Sequence, residues 1–185
     1  SNKKNLMTPN TVLLYQDECH FKNQPTLHAT WFEKGKQKKV PVYGKYATTS
    51  VFGTVDVDTG KVLCLPATTC NAQTFQTFLT YVIQEYPNKH IILVLDNARY
   101  HHAIVLKDFL KQHEDNLTLL FLPPYSPNLN LMERIWKLLK ERVVANCYHG
   151  TELQLIQAIE IFVQDVQINT KQILRRIQCV DMSIF

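Results

Sequence analysis

Runs of apolar residues divide the 185-residue chain into short strands and amphipathic helices that largely alternate. "TVLLYQDE" gathers Val12, Leu13, Leu14 and Tyr15 ahead of Asp17, and "HIILVLDNARYHH" sets an unbroken aliphatic run, residues 91–95, ahead of Asp96. Continuous branched runs of this length suit strands covered on both faces, the kind found in parallel sheets flanked by helices. Between them, "YATTSVFGTVDVDTGKVLCLPATT" alternates loosely and turns at "DTG", which predicts an antiparallel hairpin over residues 46–66. Asp56 and Asp58 flank that turn and read as turn formers held by local hydrogen bonds.

Helical spacing takes over in "NAQTFQTFLTYVIQEYP", where Phe75, Phe78, Leu79, Val82, Ile83 and Tyr86 share a face, Asn71 can cap and Pro87 can stop the helix. "AIVLKDFLKQH" is a shorter amphipathic helix, "LTLLFLPP" a further buried strand, and "NLMERIWKLLKERV" a helix with Glu133 in its first turns. A last helix opens on a capping box, Thr151 with Gln154, and aligns Leu155, Ile156, Ile159, Phe162, Val163 and Val166. Residues 168–185 show no clear period and are left as a tail of unassigned role. A hairpin joined to a central strand and followed by β-α units predicts one α/β domain, residues 11–167, with a mixed sheet between helices.

Composition narrows the setting. The cysteines, Cys19, Cys64, Cys70, Cys147 and Cys179, are odd in number and form no CxxC pair, so neither a zinc knuckle nor a disulfide framework is indicated. No apolar run of membrane-spanning length is present, and "SNKKNLMTPN" lacks the apolar stretch of a signal peptide. A soluble protein of a reducing compartment, with no membrane partner, is the expectation. A formal charge of +4 and a pI near 8.8 permit contact with a polyanion without selecting one.

Chemistry enters through the acids. Asp17 and Asp96 are each expected where a strand stops, and in open α/β sheets that C-terminal edge is where sites are built. If the two strands are neighbours, the carboxylates emerge together, and the short loop "PPYSPNLN" can bring Glu133 over the same edge. Three close carboxylates raise one another's pKa unless a cation neutralises them, and hard oxygen ligands select Mg²⁺ or Mn²⁺ over zinc. Two such ions would serve an in-line displacement at phosphorus. Plainer readings stand beside this one: Asp96 as the cap of its own turn, Asp17 as a surface acid, and Glu133 as partner of Asn130 in a capping box or of Lys137 in an i,i+4 pair.

"LLYQDE", "LVLDNARYHH" and "LPPYSPNLNLMERIWKLLK" resemble, in order and spacing, the three catalytic blocks of DDE transposases of the mariner superfamily, most closely its bacterial insertion-sequence branch. "TWFEKGKQ" resembles the tryptophan and glycine segment that follows the first acid in that family, and the likeness spans residues 12–162. It implies a ribonuclease-H-like fold with a mixed five-stranded sheet, and cut-and-paste DNA chemistry. By this likeness Asp17, Asp96 and Glu133 are the catalytic metal ligands, holding two Mg²⁺ ions for which Mn²⁺ can substitute. Water cleaves at an element end, and the freed 3′ hydroxyl attacks target DNA, at a TA dinucleotide by analogy.

Other positions follow from the same likeness. Asn97 and His101 match the "DN" and histidine pattern and are expected to support the metal ligands or meet the DNA backbone, with mere ordering of the loop as the alternative. Glu18 should point away from Asp17 on an extended chain and is left outside the triad. The basic run Lys34, Lys36, Lys38 and Lys39, preceded by Trp31 and Phe32, could hold phosphates and stack on a base, as could Lys137, Lys140 and Arg142 on the Glu133 helix; solvated side chains and a buried tryptophan are the alternative.

The expected partners are double-stranded DNA and a second copy in the synaptic complex, with no nucleotide cofactor, in a bacterial cytoplasm at the nucleoid. Family members carry N-terminal helix-turn-helix modules, whereas barely ten residues precede the first strand here, so the chain is expected to be the catalytic part alone, with residues 1–10 disordered or tag-derived. Two further readings remain open: a ribonuclease-H-like nuclease without strand transfer, and an inactive DNA-binding or dimerising relic.

Overall fold

A computed structural model describes residues 10–23, 34, 47–123 and 129–178. Five strands form one sheet: β1 (Thr11–Lys22), β2 (Thr48–Asp56), β3 (Val62–Ala67), β4 (His90–Leu95) and β5 (Leu117–Phe121), in the order β3-β2-β1-β4-β5. The hairpin supplies the antiparallel half, β3 on β2 and β2 on β1, while β1, β4 and β5 run parallel. The hairpin turn is held as its sequence suggests: Asp56 Oδ1 accepts from the amides of Asp58 and Thr59. Gly60 follows with a positive φ of 73°, a conformation that costs glycine little.

Strand β1 is longer than its apolar run indicates. The expected end at Asp17 is not observed, because β2 continues to pair with β1 from Asp17 opposite Gly53 to Lys22 opposite Thr48. The parallel partner stops earlier, with Tyr15 opposite Val94 as the last pair. Beyond that pair β1 has, among the described residues, a strand neighbour on the β2 side alone, and the sheet is stepped.

Alternation along the strands sends two sets of side chains to two cores. Leu14, Phe52, Leu63, Ile91, Leu93 and Leu95 pack with α1 (Ala72–Glu85) and α2 (Ile104–Gln112). Tyr15, Cys19, Phe21, Val51, Val55 and Val94 pack on the other face with α3 (Met132–Leu139), a π-helical turn (Lys140–Val144), α4 (Glu152–Ile168) and α5 (Thr170–Gln178). The helix starts follow from their caps. Asn71 Oδ1 accepts from the Thr74 amide at 2.9 Å and Thr74 Oγ1 accepts from the Asn71 amide at 3.0 Å, while Thr151 Oγ1 accepts from the Gln154 amide.

The stretch left unassigned in the sequence contains α5. Its Ile173 and Ile177 are buried in the same core as α3 and α4, and Arg176 binds Glu141 at 3.1 Å while its backbone carbonyl accepts from Arg134. Residues through 178 therefore belong to the same packed body. Among the described residues no helix is long and apolar enough to cross a membrane.

Candidate active site

The step in the sheet locates the site. Continuing the β1–β4 register two residues past Tyr15 and Val94 sets Asp17 level with Asp96, the first residue beyond β4. Asp17 lies on the face covered by α3, since Tyr15 and Cys19 on either side of it in the alternation belong to that core. Its carboxylate is half-buried and accepts a hydrogen bond from Trp136 Nε1 at 3.0 Å. Burial, the neighbouring Glu18 charge and the Glu133 charge together push its pKa up to about 7. Glu133 is thus close enough to Asp17 to repel it.

Helix α3 is fastened to β1 at this point. Asn130, buried just before the helix, donates from Nδ2 to the Gln16 carbonyl at 2.8 Å and accepts the Met132 amide at Oδ1. Glu133 stands exposed in the first turn. Its amide donates to the Asn130 carbonyl at 3.2 Å, but its side chain forms no capping bond with Asn130 and, among the described residues, no ion pair with Lys137 is present.

Asp96 is exposed and holds its own turn, accepting the Ala98 amide at Oδ1. The 3-10 turn that follows, Arg99–His102, brings back His101, whose side chain is fully buried and whose Nδ1 lies 3.1 Å from the Asp96 carbonyl and 3.3 Å from Asp96 Oδ1. A carbonyl only accepts, so Nδ1 carries the proton. Burial pushes the His101 pKa down, which favours this neutral form. Asn97 donates to the Leu122 carbonyl and accepts from His102, joining this loop to the end of β5.

Glu18 points to the opposite face from Asp17 and receives hydrogen bonds from the Tyr100 hydroxyl and from Gln16 Nε2. Burial raises its pKa, with the Tyr100 bond opposing and the Asp96 charge adding to the rise. Glu18, Asp96 and His101 have ligand-type atoms within 4.8 Å of one another, whereas Asp17, Asp96 and Glu133 do not form so tight a group in this structure. The former set fits a cation poorly, because the His101 nitrogen facing it is committed to a carbonyl. The latter set fits better in chemistry: all donors are carboxylate oxygens, and two of them already repel one another. Joining Asp96 to them requires turning a side chain that is 55% exposed away from the Ala98 amide.

Three residues of this site escaped the sequence reading: Trp136, Tyr100 and Asn130's bond to β1. The signal for Trp136 was present, since it stands one helical turn after Glu133 on the apolar face and a buried indole N–H needs an acceptor. Lys140 reaches the Cys19 thiol at the edge of the same face, and Lys137 and Lys34 are exposed. Arg142 is instead paired with Asp165 at 2.7 Å. Trp31, Phe32, Lys36, Lys38 and Lys39 lie outside the described residues.

Comparison with known proteins places this geometry among relatives. The family profile described as "DDE superfamily endonuclease" matches residues 12–156. An insertion element IS630 uncharacterized 39 kDa protein of Shigella sonnei is 27% identical over 155 residues, 83% of this chain and 45% of its own. Among solved structures, a Mos1 transposase paired-end complex with left transposon end superposes with a TM-score of 0.69 at 16% identity, covering 95% of this chain and 54% of that one. The catalytic domain of Mos1 mariner transposase superposes with a TM-score of 0.59 at 17% identity, covering 90% and 75%. These likenesses establish the ribonuclease-H-like fold, and the chain spans about half the length of the first two relatives.

Proposed function

The chain belongs to the DDE superfamily endonuclease family, and from that footing we infer that it is the catalytic domain of an insertion-sequence transposase that cuts DNA and joins the freed 3′ hydroxyl to a second duplex. The observation that carries this reading is the β1–β4 ladder, which ends at Tyr15 opposite Val94 and whose continuation brings Asp17 level with Asp96, with the Glu133 helix fastened to β1 by Asn130 and Trp136.

In this reading Asp17, Asp96 and Glu133 hold two Mg²⁺ ions, or Mn²⁺ in their place. When bound, such ions supply the Lewis acidity that activates the attacking oxygen and stabilises the leaving one in a displacement at phosphorus. The protein's part is placement. Asp17 sits on a central strand and Glu133 on a helix tied to that strand, so both are aimed by rigid elements. Asp96 sits on a loop steadied by His101 and Asn97. Lys140 beside Cys19, with Lys137 on α3, supplies cationic side chains for phosphates on the Asp17 side, and exposed Lys34 is a further cation proposed for DNA. Double-stranded DNA is then the substrate, a TA-containing duplex the target, a second copy of the chain the partner in synapsis, and the bacterial nucleoid the place of action.

The test uses supercoiled plasmid, a labelled duplex oligonucleotide with a free 3′ hydroxyl, and Mn²⁺. Nicking of the plasmid and covalent capture of the label, both lost in Asp96→Asn, are the expected result. Nicking without capture would leave a nuclease; neither event from folded protein would overturn the reading.

A further inference from the structure

Trp136 is buried to 1% exposure, yet its one polar group is spent on a carboxylate that the proposed function makes a metal ligand, instead of on a backbone carbonyl. Its ring is located by three contacts. Phe21 meets it edge-on with centroids 5.8 Å apart. Met132, one turn earlier on α3, lies with it over Gly53. Gly53 is the residue directly across the β1–β2 pair from Asp17, and a Cβ built there would come within 2.5 Å of the indole Cη2 and 2.6 Å of the Met132 methyl. The strand therefore leaves a side-chain-sized opening beside Asp17, and the indole fills it.

The bond from Trp136 takes Asp17 Oδ2 from one side. With the Glu18 amide as a second donor to the same carboxylate, the indole N–H on Oδ2 restrains its orientation, and a carboxylate oxygen has lone pairs to spare for a cation at Oδ1. Trp136 also stands three residues after Glu133, about one turn further along α3. Whatever seats the indole over Gly53 therefore seats Glu133 next to Asp17.

We propose that Trp136, seated over Gly53, is a positioning residue for the metal centre: its indole N–H fixes the Asp17 carboxylate so that Oδ1 is offered to the cation, and it ties that orientation to the docking of the Glu133 helix. This deepens the proposed function and rests on its metal ligands. Hydrogen-bond partners of metal ligands typically change metal affinity by about 10- to 100-fold when removed, and the lower figure suits a single bond to one oxygen.

The chain contains two tryptophans, so an ¹H–¹⁵N spectrum shows two indole cross-peaks, and the one missing in Trp136→Phe identifies this residue. On titration with Mg²⁺ the Trp136 indole peak is expected to move, with the midpoint of ion binding measured by calorimetry, and Trp136→Phe is expected to bind Mg²⁺ about tenfold more weakly. Ile135→Val, a buried change on the same helix, serves as the control for lost packing. Its ion affinity is expected to stay at the wild-type value even where its melting temperature falls as far as that of Trp136→Phe. An indole peak that stays still while the ion binds, or equal loss of affinity in both variants, would overturn the positioning role and leave the metal site intact. Absence of ion binding in the wild type, or binding undiminished in Asp17→Asn, would instead overturn the assignment of the ligands and this role with it.

Discussion

Tyr100 donates its hydroxyl to Glu18, and by doing so fastens the turn that follows Asp96 onto the central strand. The tyrosine ring is held by edge contacts to Phe52 and Phe75, and the adjacent His101 grips the Asp96 carbonyl. Replacing Tyr100 by Phe keeps the ring contacts and removes the bond. Hydrogen bonds to charged groups contribute about 1.5–3 kcal/mol, and Glu18 is only half-buried, so a loss of about 1–2 kcal/mol is expected in urea unfolding. An unchanged midpoint would show that this bond contributes nothing to holding the Asp96 loop.

The pH dependence of stability has a sign set by Asp17. The folded state keeps the Asp17 proton up to about pH 7, whereas the ordinary value is 3.8. Folding thus takes up a proton across that window, and stability falls as pH rises through it. In EDTA the melting temperature is expected to decline between about pH 4 and pH 7, less steeply in Asp17→Asn. Glu133→Gln removes one source of repulsion and is expected to move the upper end of the decline to lower pH. A wild-type slope of the opposite sign across this range, not shared by Asp17→Asn, would contradict the burial and repulsion assigned to this acid.

Mn²⁺ in place of EDTA is expected to raise the melting temperature at pH 7.5. A ligand bound by the native state alone stabilises it by about 2.7 kcal/mol at a hundredfold excess over its dissociation constant. The increment should vanish in Asp96→Asn. Persistence of the full increment there would place the ion elsewhere.

Asn130→Ala removes the bond to the Gln16 carbonyl and the acceptor for the Met132 amide. Two buried backbone groups lose a partner, each at a cost of about 1–3 kcal/mol, and the Glu133 helix loses its tie to β1. Strand cleavage is expected to fall by at least tenfold at a temperature where circular dichroism still reports a folded chain. Cleavage at the wild-type rate would mean that packing alone seats the helix.

Gly53→Ala tests the same seat from the strand side. The added methyl meets the Trp136 ring at 2.5 Å, and overpacking of this kind costs about 1–3 kcal/mol. Reduced Mn²⁺ affinity, measured by calorimetry below the melting transition, is expected to accompany the lost stability. A variant as stable and as tightly binding as the wild type would show that the opening is not needed.

Several of these relationships were legible in the chain and others were not, for physical reasons. Asp96 could be placed because the aliphatic run 91–95 ends at it, and burial on both faces makes such a run continuous. Asp17 was misplaced at a strand end because Glu18, His20 and Lys22 resemble a departure into solvent; only β2, pairing as far as Lys22, shows them as one side of an alternation whose other side is Cys19 and Phe21. Helix α5 buries two isoleucines within nine residues, too brief a stripe to set a period. Trp136 was recognisable as core, but the acceptor of its N–H lies 119 positions away, beyond the reach of any local pattern. The facing of Glu18 away from Asp17 follows from strand geometry, whereas its tyrosine partner comes from a loop folded back against the sheet.

The bonds to β1 from Trp136 on α3 and from Asn130 just before it close loops of 119 and 114 residues, among the longest separations spanned by side-chain hydrogen bonds in the described residues. Long loops are closed late, after local hairpins and helices have formed. All five strands, with Asp17 and Asp96, precede Glu133 and Trp136 in the chain. Chain order thus makes the contacts of Asn130 and Trp136 with β1 a late step in folding, and the neighbourhood of Asp17 is finished only when α3 docks.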